Sequence, residues 1–176
     1  EMMNSFDLKE DLESSQVIRF DNLSLDQESS QELDKTLEML SMKIEDLNRA
    51  FLTVEGGFVA AQIQKNNFVS QSKLDSEATM SYSLLSTANQ CSWYLKKMQV
   101  SSILLECKNS FQFINKVETG ILSINISKGN QKLGLLRMIL PKFITKFEEI
   151  LKEIQCKFKQ KTVLDMKEIF SQMVLQ

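Results

Sequence analysis

The sequence predicts an all-α protein: long helices with heptad seams, forming an elongated coiled-coil or helical-bundle assembly. Three observations predict it. Apolar residues recur at alternating steps of three and four over long stretches, the period of a helix that buries a narrow stripe. The 176 residues include five Gly and one Pro, too few turn formers for a sandwich, a barrel or a βαβ fold. Neither Gly nor Pro interrupts the chain between Gln71 and Glu118. With 43% hydrophobic and 25% charged residues, the chain can build a core and is not disordered throughout.

Residues 1–23 read as an acidic flexible arm, and 24–176 as one elongated helical region with helices over 29–55, 58–68, 72–124, 131–140, 142–160 and 163–175. Within the arm, Val17, Ile18 and Phe20 form the one dense apolar spot, flanked by Asp and Ser. Such a spot is either a linear docking peptide or a strap over the chain's own helices.

The first helix opens on Ser29 with Glu32 three residues later, the pattern of a capping box. Its seam is Leu33, Leu37, Leu40, Ile44, Leu47, Phe51 and Val54. Gly56-Gly57 follows and reads as a hinge, because each Gly costs a helix about 1 kcal/mol relative to Ala. Phe58 and Ala60-Ala61-Gln62-Ile63-Gln64 allow the helix to resume.

The longest element starts near Ser72. Leu84, Ala88, Cys91, Leu95 and Met98 keep the 4-3 spacing, and the seam then shifts to Val100, Leu104, Cys107, Phe111, Ile114 and Ile121. A shift of this kind is a stutter, which changes the supercoil locally or swaps the partner. Fifty helical residues span about 75 Å, which implies a rod. Lys128-Gly129-Asn130 stops the element. Pro141, lacking an amide hydrogen, is a second hinge. Leu140, Ile144, Phe147, Leu151, Ile154 and Phe158 then form the last seam, with a terminal helix after Thr162.

Function is bounded mainly by exclusion. There is no His, the commonest general base and metal ligand, so no zinc set of the usual kind can form. No Gly-rich phosphate loop and no nucleophile elbow occurs. The carboxylates fall on polar helix faces, as with Glu148 and Glu149 beside Lys152. The chain is therefore expected to be no enzyme, with no cofactor and no small-molecule substrate. Cys91, Cys107 and Cys156 are odd in number and lie in apolar patterns, which favours a reducing compartment, nuclear or cytoplasmic. No apolar run is long enough to span a membrane.

The net charge of −2 hides an asymmetry: residues 1–34 carry −8 and residues 128–176 carry +5. Lys152, Lys157, Lys159 and Lys161 cluster, and are either a solvated face or a contact for an acidic polymer such as nucleic acid or a microtubule. Apolar residues outside the main rows, such as Leu52, Phe68 and Leu122, exceed what one bundle hides. The resulting expectation is a structural subunit that pairs with other helical subunits, copies of itself or different chains. Its character is that of kinetochore, spindle, chromosome-axis or tether assemblies. A polymer-binding module and a self-contained helical signalling bundle are the alternatives.

Overall fold

The computed structural model describes residues 27–66, 68–95, 99–129 and 133–174, the last segment's side chains as far as Lys157. Helix α1 spans Gln27–Lys43, strand β1 Leu47–Thr53 and strand β2 Val59–Gln64. Helix α2 spans Gln71–Tyr94, followed by β3 (Ser102–Glu106), β4 (Ser110–Val117), β5 (Gly120–Ser127) and helix α3 (Leu133–Val174). The five strands form one antiparallel sheet in the order β2-β1-β5-β4-β3. The protein is therefore α/β, and the all-α expectation is corrected.

The correction has a physical cause. The sheet carries α2 on one face and α1 with α3 on the other, so its central strands are buried on both sides. Strands covered twice read as continuous apolar runs, not as alternation. In β1, Ala50 and Leu52 face α1 and α3 while Phe51 faces α2, and all three are buried. The 4-3 spacing of Leu33, Leu37 and Leu40 is a true helical stripe. It carries on numerically through Ile44, Leu47 and Phe51, although the chain has already turned after Lys43.

The hinges take other roles. Gly56 and Gly57, both at φ 83, form the tight turn between β1 and β2. A Cβ on Gly57 would lie 3.2 Å from the Thr79 backbone, so the turn also sets how closely α2 approaches. Pro141 lies inside α3, which runs through it as one helix in place of the three expected. The expected 50-residue rod is α2 followed by a three-stranded meander. Its turns are Cys107–Asn109 and Glu118-Thr119, the first with no Gly or Pro and the second closed by Gly120. Gly120 starts β5 where the end of β1 presses closest, with a Cβ position only 1.8 Å from the Thr53 carbonyl oxygen.

Candidate interaction surface

The sheet ends differently at its two rims. Beside β2, Gln62 Nε2 donates to Gln71 Oε1 (2.8 Å), and the Val69 amide donates to Gln64 Oε1 (2.9 Å), tying the approach to α2 against the strand. On the other rim, among the described residues, β3 pairs with β4 alone. An outer strand of this kind presents a row of backbone donors and acceptors that another strand can use.

Helix α2 adds a side-chain surface next to that rim. Its buried stripe is Leu74, Ala78, Ser81, Leu85 and Ser92. About 90° around the helix, at 100° per residue, lie Met80, Leu84, Cys91 and Leu95. Met80 is 70% exposed, Leu84 38% and Leu95 69%. Met80 and Leu84 border a hollow shared with Leu105 of β3 and Ile114 of β4. The stripe and the strand rim are thus one continuous surface.

A polar cluster fixes α2 at its height above the sheet. Arg49 Nε and Nη2 both donate to Glu77 Oε2, at 2.8 and 2.6 Å. Gln112 Nε2 donates to Glu77 Oε1 (3.1 Å), Ser81 Oγ (3.2 Å) and Ser123 Oγ (3.1 Å). Three strands and the helix meet there. The cluster holds the stripe in place: its carboxylate accepts from three donors, and the base beside it is a guanidinium, which stays protonated. Sequence spacing gave no signal for it, because Arg49, Glu77 and Gln112 lie 28 and 35 residues apart.

Of the residues expected at a partner interface, most are buried within the chain. Leu37, Leu40, Ile44, Leu47, Phe147 and Leu151 form the core under α1 and α3, with Ile144, Ile154 and Phe111 packed at its border. Phe51, Ile114 and Ile121 form the core under α2. Leu84, Leu95 and Leu104 are exposed. The side chain of Phe158 lies outside the described residues, as do Val17, Ile18 and Phe20 of the arm. The lysine cluster is partly neutralised. Lys152 Nζ lies 2.8 Å from Glu118 Oε1, whose hydrogen bond and charge raise the ammonium's pKa, and Lys157 Nζ lies 3.9 Å from Glu28 Oε2. The side chains of Lys159 and Lys161 are outside the described residues. Cys91, Cys107 and Cys156 are all exposed thiols, although they lie in apolar patterns of the sequence. Among the described residues, no three His, Cys, Asp or Glu side chains are grouped to hold a metal, and no helix is long and apolar enough to cross a membrane.

Solved structures share this architecture. Myxococcus xanthus MglB superposes with a TM-score of 0.64, at 12% identity, over 74% of this chain and 95% of its own. A Roadblock/LC7 domain from Streptomyces avermitilis gives 0.60 at 14% identity, over 68% of this chain and 97% of its own. The chain has the Roadblock/LC7 fold. A further structure, described as MglB with tetrameric arrangement, gives 0.59 at 16% identity, over 68% of this chain and 90% of its own. No family model matches the sequence, and no curated protein does.

The Roadblock/LC7 fold corrects the functional expectation as well. A coiled-coil subunit of kinetochore, spindle, chromosome-axis or tether type would pair through the long seams, yet most of the seam residues fill this fold's own core. A helical signalling bundle is excluded by the five-stranded sheet. The polymer-binding alternative falls with them: the fold is that of a Roadblock/LC7 domain, and two of its four lysines are engaged with carboxylates.

Proposed function

We propose that the chain is a non-catalytic pairing module of the Roadblock/LC7 type that regulates a small GTPase in its paired form. The observation that carries the reading is the uncovered rim of β3 beside the exposed stripe of α2. Two copies meeting there about a two-fold axis would join β3 to β3 and extend the sheet to ten strands, with the α2 stripes packing across the axis. The same surface serves pairing with a different chain of this fold. The described tetrameric arrangement of an MglB with this fold supports self-association as the mode of action. The regulatory half of the reading rests on the fold likeness alone.

Solution mass tests the pairing: sedimentation equilibrium gives twice the 20.3 kDa chain mass if the surface acts as proposed. A chain that stays monomeric alone and with every co-expressed Roadblock-fold chain of its organism refutes it. The regulatory half is tested by GTP turnover of purified small GTPases from that organism. A rate change is expected with the wild-type chain and is lost with an unpaired variant.

A further inference from the structure

On the opposite face of the sheet, a groove of about 630 Å³ runs between the β3–β4 pair and the first turns of α3. Leu104, Phe113, Leu140, Pro141 and Ile144 give it an apolar lining. Asn115 lies in it too, at 6% exposure, and its Nδ2 has no hydrogen-bond partner. A buried amide donor without an acceptor costs about 1–3 kcal/mol, so a native structure seldom keeps one unless something completes it. The missing group is an acceptor carried on an apolar object, as a peptide carbonyl between apolar side chains is.

Charge narrows the choice of peptide. The groove is lined by Lys116 and Arg137 and by Glu118 and Glu148, of which Glu118 is paired with Lys152, and Lys142 and Lys146 stand on the same stretch of α3. Residues 1–26 of the same chain carry seven acids and two bases. Within them, Val17, Ile18 and Phe20 are the apolar spot, between Glu13 and Asp21.

Reach is sufficient. Helix α1 begins beside Lys157, to which Glu28 is paired. Ile144, in the groove's lining, is 13 residues back along α3, about 20 Å at 1.5 Å per residue, and going halfway round the helix adds about 16 Å sideways. Passing around the helix and not through it, the path is about 25 Å. The seven residues from Phe20 to Gln27 extend to about 23–25 Å. At full extension that link lets the stretch from Phe20 out to Val17 reach the α3 wall between Ile144 and Arg137.

We propose that this groove is the seat of the chain's own N-terminal arm. Val17, Ile18 and Phe20 fill the apolar lining, a backbone carbonyl of the segment accepts from Asn115 Nδ2, and the flanking acids face Arg137 and Lys142. The contact lies on the face of the sheet away from α2 and does not depend on the pairing proposed above.

The test is photo-crosslinking within the full chain, with Phe20 replaced by a benzophenone-bearing analogue and the products mapped by mass spectrometry. Crosslinks from position 20 to peptides carrying Leu104, Phe113 or Ile144 are expected. Arg137→Glu with Lys142→Glu, both on exposed positions, should lower their yield severalfold, and Asn115→Ala about tenfold, while solution mass stays that of the wild type. Crosslinks to other parts of the chain, or none, overturn the proposal. Crosslinks joining ¹⁵N-labelled to unlabelled copies overturn it in favour of a second copy's arm. A chain that proves monomeric yet gives the expected crosslinks sinks the pairing reading and leaves this one standing.

Discussion

Replacing Met80 by Glu should separate the paired chains without unfolding them. Met80 is 70% exposed on the α2 stripe, so roughly two thirds of its apolar surface remains to be covered. Full burial of such a side chain is worth about 1.5–3 kcal/mol, which leaves about 1–2 kcal/mol for the pairing. A two-fold contact uses the residue twice, so the loss becomes about 2–4 kcal/mol. A carboxylate forced into the same place adds a desolvation cost, for a total of about 3–5 kcal/mol. The dissociation constant should rise by about two to four decades, at 1.4 kcal/mol per decade. Sedimentation equilibrium over a dilution series reads this directly. Met42→Glu is the control, since Met42 is 75% exposed on α1, behind the other face of the sheet, and should leave the mass unchanged. The unfolding free energy of the separated Met80→Glu chain should stay within about 0.5 kcal/mol of the wild-type monomer's, as for other surface substitutions. The reasoning fails if Met80→Glu self-associates as strongly as the wild type. It fails equally if Met42→Glu is the variant that dissociates.

Three further outcomes are expected. Gly120→Ala should cost about 3 kcal/mol or more in denaturant unfolding, because its Cβ would sit 1.8 Å from the Thr53 carbonyl oxygen and the β1–β5 pair would have to part. Glu77→Ala should cost about 2–3 kcal/mol, since Arg49 and Gln112 lose their shared acceptor near the base of α2, and Glu77→Gln should recover part of the loss. Asp34→Asn should raise the melting temperature slightly at neutral pH. Burial first, and then the Glu38 charge, raise the Asp34 pKa, so the folded chain holds its proton more tightly than the unfolded one. The stability this carboxyl contributes is complete below its unfolded pKa near 3.8 and is lost as pH rises through the higher folded value. Scanning calorimetry should therefore find the variant's advantage at pH 7 and none near pH 3.

How far the sequence could be read is clearest at three places. Leu33, Leu37 and Leu40 spelled out α1, and Leu84, Ala88, Cys91 and Leu95 spelled out the second half of α2. Leu84 and Leu95 of that second stripe stand exposed. Helical spacing misleads where it runs on past a helix end. Between 102 and 127, Ile103, Ile114, Val117, Ile121, Ile124 and Ile126 are β-branched, a strand preference that outweighs spacing. The turn at Cys107–Asn109 contains neither Gly nor Pro, so nothing marked the break between β3 and β4. Asn115 carried no linear signal at all: its meaning comes from burial against α3, which only the folded chain reveals.

A sheet dressed with helices on both faces leaves backbone groups of its strands unpaired only at its borders. Contacts made at a border are read through peptide groups, which every amino acid supplies alike. Side chains are then free to drift as long as the strand stays straight and the neighbouring helix stays greasy. Such an arrangement can keep its architecture while its letters change almost entirely, which accords with a shared fold at 12–16% identity.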